Sequence, residues 1–121
     1  MPRATLEETR IHPAIRDKVA NLNADIVREV QEAAAANAVL VVGMRQNPMP
    51  RHARKILDMH DIPYKYLEYG SYLSGWRRRN ALKMWTGWPT FPMVFVKGVL
   101  VGGAADLARL HASGELKKLL E

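Results

Sequence analysis

Cysteine is absent from all 121 residues. Without a thiol the chain can form no disulfide, ligate no cysteine-bound iron–sulfur cluster and run no thiolate chemistry, because each of these needs the deprotonated sulfur itself. Methionine cannot stand in for it. Long apolar runs are also missing. No stretch reaches the roughly 18 residues that cross a bilayer, and Met1 to Arg10 is polar where a secretory segment would be apolar. A cytoplasmic protein with no membrane partner is expected. The histidines at 12, 52, 60 and 111 include no pair at the three- or four-residue spacing that aims two imidazoles at one ion, so no metal site is expected. Ser71, Ser74 and Ser113 lack the glycine-flanked turn that exposes a hydrolytic nucleophile. Internal repeats and low-complexity tracts are missing as well.

What is present suits one packed domain. Hydrophobic residues make up 48% of the chain and charged residues 25%, close to the globular average. The formal net charge of +6 favours an anionic partner: nucleic acid, an acidic protein or a carboxylate-bearing small molecule. Trp76-Arg77-Arg78-Arg79, with Asn80, Lys83, Trp85 and Trp88, interleaves cations and aromatics as single-strand binders do. The run lies on an amphipathic helix pattern with no nucleic-acid-binding motif beside it. It therefore reads as a solvated helix face, and nucleic acid is not an expected partner.

Residues 12 to 36 read as helical. Pro13 suits a first turn, Ile15, Val19 and Leu22 fall at helical spacing, and Asn23 is placed to cap a second helix that carries Ile26, Val27 and Val30 on one face and ends at Asn37. Ala38 to Gly43 is a β-branched apolar run, the pattern of a strand buried on both faces and paired in parallel. Arg51 to His60 follows as a helix with Ala53, Ile56 and Leu57 inward, and Ile62 to Tyr69 alternates as a second strand. After the Gly70 to Gly75 loop, Trp76 to Trp85 is helical. Pro92 to Val96 and Val99 to Val101 form a hairpin around Lys97-Gly98, and Ala104 to His111 and Gly114 to Leu120 close the chain as helices. This order predicts an α/β, thioredoxin-like fold: a mixed four-stranded sheet flanked by helices, with residues 1–23 as an N-terminal helical extension and 24–121 as the domain proper.

Trp88-Pro89-Thr90-Phe91-Pro92, then Val94-Phe95-Val96-Lys97-Gly98, then Gly102-Gly103-Ala104-Ala105-Asp106-Leu107 closely resemble the glutaredoxins, particularly the monothiol group, in order and in spacing. The resemblance covers about residues 24 to 121. It implies that Pro92 is a cis proline and that Phe91 before it offers its backbone to the cysteinyl part of glutathione, with Thr90 beside it. It places the family's catalytic Cys-x-x-Cys or Cys-x-x-Ser box on Asn47-Pro48-Met49-Pro50, so that Asn47 replaces the nucleophile and Pro50 the second position. Asn47 remains a sound helix cap, but its amide has no proton to lose and no nucleophile to offer.

The same resemblance implies a glutathione groove formed by Arg45, Arg79, Thr90, Phe91, Pro92, Gly103, Ala105 and Asp106. Arg79 would fork onto the glycyl carboxylate, and Asp106 with the α-helical amides at Ala105 and Asp106 would hold the γ-glutamyl end. Ala105 departs from the acidic residue many members carry there, and Arg45 is the nearest match to the lysine before the box. The expected protein is a redox-inactive glutaredoxin-like binder with glutathione or a similar anionic peptide as its ligand, no metal or iron–sulfur cluster and no enzymatic thiol chemistry. The alternative is a protein-interaction or homodimerisation module with no small-molecule ligand, using aromatics such as Tyr69, Tyr72 and Trp76.

Overall fold

The computed structural model describes residues 3–71 and 74–121, so Tyr72 lies outside the described residues. A short 3-10 turn at Glu8–Arg10 precedes α1 (Pro13–Asn21) and α2 (Ala24–Ala36). Then come β1 (Val39–Gly43), α3 (Pro48–Met59), β2 (Lys65–Glu68), α4 (Trp76–Thr86), β3 (Met93–Val96), β4 (Val99–Gly102), α5 (Ala104–Ala112) and α6 (Glu115–Leu120). The four strands form one sheet in the order β2-β1-β3-β4, with β1 parallel to β2 and antiparallel to β3, and β3 antiparallel to β4. The mixed, thioredoxin-like fold expected from the pattern is the one observed.

Alternation along the inner strands divides the core in two. Leu40, Val42, Met93 and Phe95 face α2 and α4, where they meet Ile26, Val30, Ala81 and Leu82. Val39, Val41, Val94 and Val96 face the other way, onto Ala53 and Leu57 of α3, Leu107 of α5 and Leu116 of α6. Every residue of β1 is buried, as an inner strand covered on both faces requires. Each fully buried Leu, Ile or Val removes enough apolar surface from water to contribute about 1.5 to 3 kcal/mol.

Several element boundaries and caps differ from the sequence reading. Helix α3 begins at Pro48 rather than Arg51, because Pro48 sits at its first position and Asn47 caps it. Strand β2 begins at Lys65 rather than Ile62, since Pro63 cannot donate to a ladder and pairing to β1 starts at Leu40↔Lys65. Asn23 stands at the start of α2 with φ 53°, a left-handed conformation in which its side chain makes no capping hydrogen bond. A cap not foreseen is His12, whose Nδ1 accepts from the Ala14 N–H at 3.0 Å. In the hairpin, Lys97 (φ 52°) and Gly98 (φ 80°) both take the positive φ of a type I′ turn, whose twist matches that of the strands.

Helix α1 forms as its spacing predicts, yet it buries none of its residues. Ile15, Val19 and Leu22 stay 46%, 52% and 59% exposed.

Candidate functional site

The site is assembled at the end of the sheet where β1 runs into α3 and where β3 and β4 meet α5. On one side is the α3 N-terminus. Asn47 has extended dihedrals there, and its Oδ1 accepts from the Met49 N–H at 3.0 Å, which satisfies one of the free donors of the first turn. Pro50 is buried beneath this turn. Its close approach is possible because β1 ends in glycine: a Cβ on Gly43 would lie 2.7 Å from the Pro50 Cβ and 2.8 Å from the Tyr66 hydroxyl.

Facing that turn is the segment before β3. The Phe91–Pro92 bond is cis, as the resemblance implies. The Phe91 ring is in the core, while its carbonyl accepts a hydrogen bond from Asn47 Nδ2 at 3.3 Å. Upstream, the Thr86 hydroxyl donates to the Leu82 carbonyl at 2.8 Å and accepts from the Trp88 N–H at 3.1 Å, fixing how the chain leaves α4.

The third wall is the start of α5. Asp106 reaches back so that its Oδ2 accepts from the Gly103 N–H at 3.0 Å, the reciprocal half of a capping box. Its Oδ1 accepts from Arg109 Nη2 at 2.7 Å. The Gly103 N–H first, and then the Arg109 guanidinium, hold the Asp106 carboxyl below the ordinary carboxylate range. Gly102 is required beside it. It has φ 114°, and a Cβ there would stand 2.6 Å from Asp106 Oδ2.

Between these walls lies a cleft of about 330 Å³. Thr90, Phe91, Pro92, Gly103, Ala105 and Asp106 all line it, together with Asn47 at its floor. Met49, Trp88 and Ala104 line it too, although none of them is among the residues expected to bind the ligand; each lies close in sequence to a residue of the active-site box or of the expected groove. The Trp88 indole nitrogen is buried and has no hydrogen-bond partner among the described residues.

Arg45 and Arg79 are not brought to this cleft. Arg79 is buried under the loop that follows β2, where its Nη1 donates to the carbonyls of Ser74 at 2.6 Å and Tyr69 at 3.0 Å. Burial draws its pKa down from the ordinary arginine value. Arg45 is exposed, with its Nε 3.8 Å from Glu68 Oε2, a surface pairing of small energetic consequence. The Lys83 Nζ lies 5.8 Å from the centroid of the Phe91 ring, on a residue that does not line the cleft.

A mixed sheet in this order, with a cis-proline turn facing a capped helix start, defines a thioredoxin-like domain. The glutaredoxin family model matches residues 39–101. A glutaredoxin-like protein of Dictyostelium discoideum is 43% identical over 102 residues, spanning 84% of this chain and 83% of that protein. An uncharacterised monothiol glutaredoxin of Synechocystis is 30% identical over 105 residues, spanning 83% and 95% respectively. The crystal structure of a buckwheat glutaredoxin–glutathione complex superposes with a TM-score of 0.73 over 82% of this chain and 90% of that one, at 24% identity. The chain belongs to the glutaredoxin family.

Proposed function

We propose that this chain binds glutathione, or an anionic peptide of that kind, in the cleft between α3, the Phe91–Pro92 turn and α5, and that it carries out no thiol–disulfide exchange. The observation that carries this reading is convergence: Thr90, Phe91, Pro92, Gly103, Ala105 and Asp106 line one cleft. They face Asn47, in a chain with no cysteine. The buckwheat relative is a glutaredoxin–glutathione complex, which supports the choice of ligand. In such a cleft the ligand main chain adds to the edge at Phe91 as an extra strand would. The amides at the α5 N-terminus face the γ-glutamyl carboxylate, and Asp106, whose carboxyl is held below its ordinary range, faces its ammonium. For Arg79 or Arg45 to take the glycyl carboxylate, each must exchange its present partner, the Ser74 carbonyl or Glu68.

An NMR titration with reduced glutathione tests this. Saturable shifts centred on Phe91, Ala105 and Asp106 are expected, together with no reduction of a mixed disulfide above the rate of glutathione alone. Absence of binding at millimolar ligand would reject the groove, and catalysed exchange would reject the inactive chemistry.

One observation favours the second reading, a dimerisation module with no small ligand. The exposed Val19 of α1 and Leu22 just after it border a groove that continues over Val27 of α2 and Met84 and Trp85 of α4. Of the aromatics first considered for such a surface, Tyr69 instead has its hydroxyl donated to Glu29, and Trp76 is 54% exposed. Sedimentation of the wild type against Leu22→Asp separates the readings, since only a dimer would dissociate.

A further inference from the structure

The geometry points to Asn47 as the residue that sets selectivity in the cleft: its carboxamide is a built-in surrogate for a ligand peptide group, held on the Phe91 carbonyl, and a ligand that adds its backbone there has to displace it. This inference rests on the glutathione reading above.

A carboxamide is chemically a side-chain peptide group, with an acceptor at one end and donors at the other. Asn47 uses both ends. Its Oδ1 takes the Met49 N–H at 3.0 Å, and its Nδ2 gives a proton to the Phe91 carbonyl at 3.3 Å, across 44 positions of sequence. A ligand strand added beside the cis proline would present a backbone N–H to the same carbonyl. That carbonyl keeps a second lone pair, so the contest is over the space the carboxamide fills as much as over the acceptor.

A thiol or a hydroxymethyl group at position 47 would be too short to make this bridge and would leave the edge open. Asparagine therefore does two things at once. It removes the nucleophile, and it fills the nearest part of the cleft with a polar group already paired at both ends. Ligands with a well-placed N–H donor can replace its bond to Phe91 like for like. Ligands without one leave the displaced carboxamide or the carbonyl unpaired and are disfavoured.

Asn47→Ser is the discriminating variant, because serine keeps an N-cap acceptor for α3 and loses the reach to Phe91. Glutathione should bind the serine variant about 3- to 10-fold more tightly than the wild type, the worth of one modest hydrogen bond. Equal affinities would overturn the inference and leave the glutathione reading standing. Should neither protein bind glutathione, the glutathione reading fails and the inference that rests on it fails with it, an outcome distinct from equal, measurable affinities.

Discussion

The Arg79 guanidinium lies 2.6 Å from the Ser74 carbonyl and 3.0 Å from that of Tyr69, so a residue the family resemblance assigns to ligand recognition is engaged in holding the loop after β2. A Cβ on Gly70 would stand 2.8 Å from Arg79 Nη1, which shows how closely that loop wraps the side chain.

Arg79→Ala should therefore destabilise the fold. It strips two carbonyls of a buried donor, at a cost of about 1 to 3 kcal/mol, and hydrogen exchange in the segment around Tyr69 and Ser74 should quicken. Arg79→Lys should recover part of this loss. A variant as stable as wild type but unable to bind glutathione would instead show that the guanidinium turns to the ligand.

Asp106→Ala should lower stability by about 1 kcal/mol, because the Gly103 N–H loses its acceptor at the start of α5. Asp106→Asn keeps an acceptor and should lose less. The carboxyl is held below its ordinary range, so its contribution is present above the unfolded carboxylate pKa and disappears as pH falls through the lower folded value. Chemical denaturation of wild type and Asp106→Asn across the acid range should thus give curves that converge toward low pH.

Gly43→Ala should cost about 1 to 3 kcal/mol, the usual penalty for forcing an atom into a filled space. The added Cβ meets the ring of the buried Pro50 at 2.7 Å and the Tyr66 hydroxyl at 2.8 Å. A denaturation midpoint unchanged from wild type would show that α3 can shift off the end of β1.

Alkaline titration should show late-ionising tyrosines. Burial and the Glu68 carboxylate push Tyr66 up to about 12, and burial with Glu29 raises Tyr69 further. A raised folded pKa gives stability that is complete below the unfolded value near 10 and is lost as pH climbs through the folded one. Phenolate absorbance of the native protein should accordingly lag behind that of the denatured protein, and unfolding should ease above pH of about 10. Coincident titrations would contradict this burial.

Asn47→Cys should place a thiol at the first turn of α3, where the helix N-terminus lowers its pKa below the ordinary value of about 8.5. Thiolate absorbance against pH measures this directly. An unshifted thiol would mean that the cleft no longer presents the helix start to a nucleophile.

The sequence by itself determined the order of elements, the inner strand β1, the Lys97-Gly98 turn, the turn before Pro92 and the absence of any thiol. These rest on local physics: periodicity of apolar residues, the φ demands of turns and the chemistry a residue type can or cannot perform. Only the tertiary structure decided where side chains point. Arg79 turned inward because two carbonyls of a loop lay within its reach, and Ile15 and Val19 of α1, with Leu22 at its end, stayed in water although their spacing suits a buried face. Asn47 met Phe91 because the sheet brings the ends of β1 and β3 together. Such pairings join residues far apart in the chain, and no local pattern encodes which of several nearby acceptors a long or polar side chain will take.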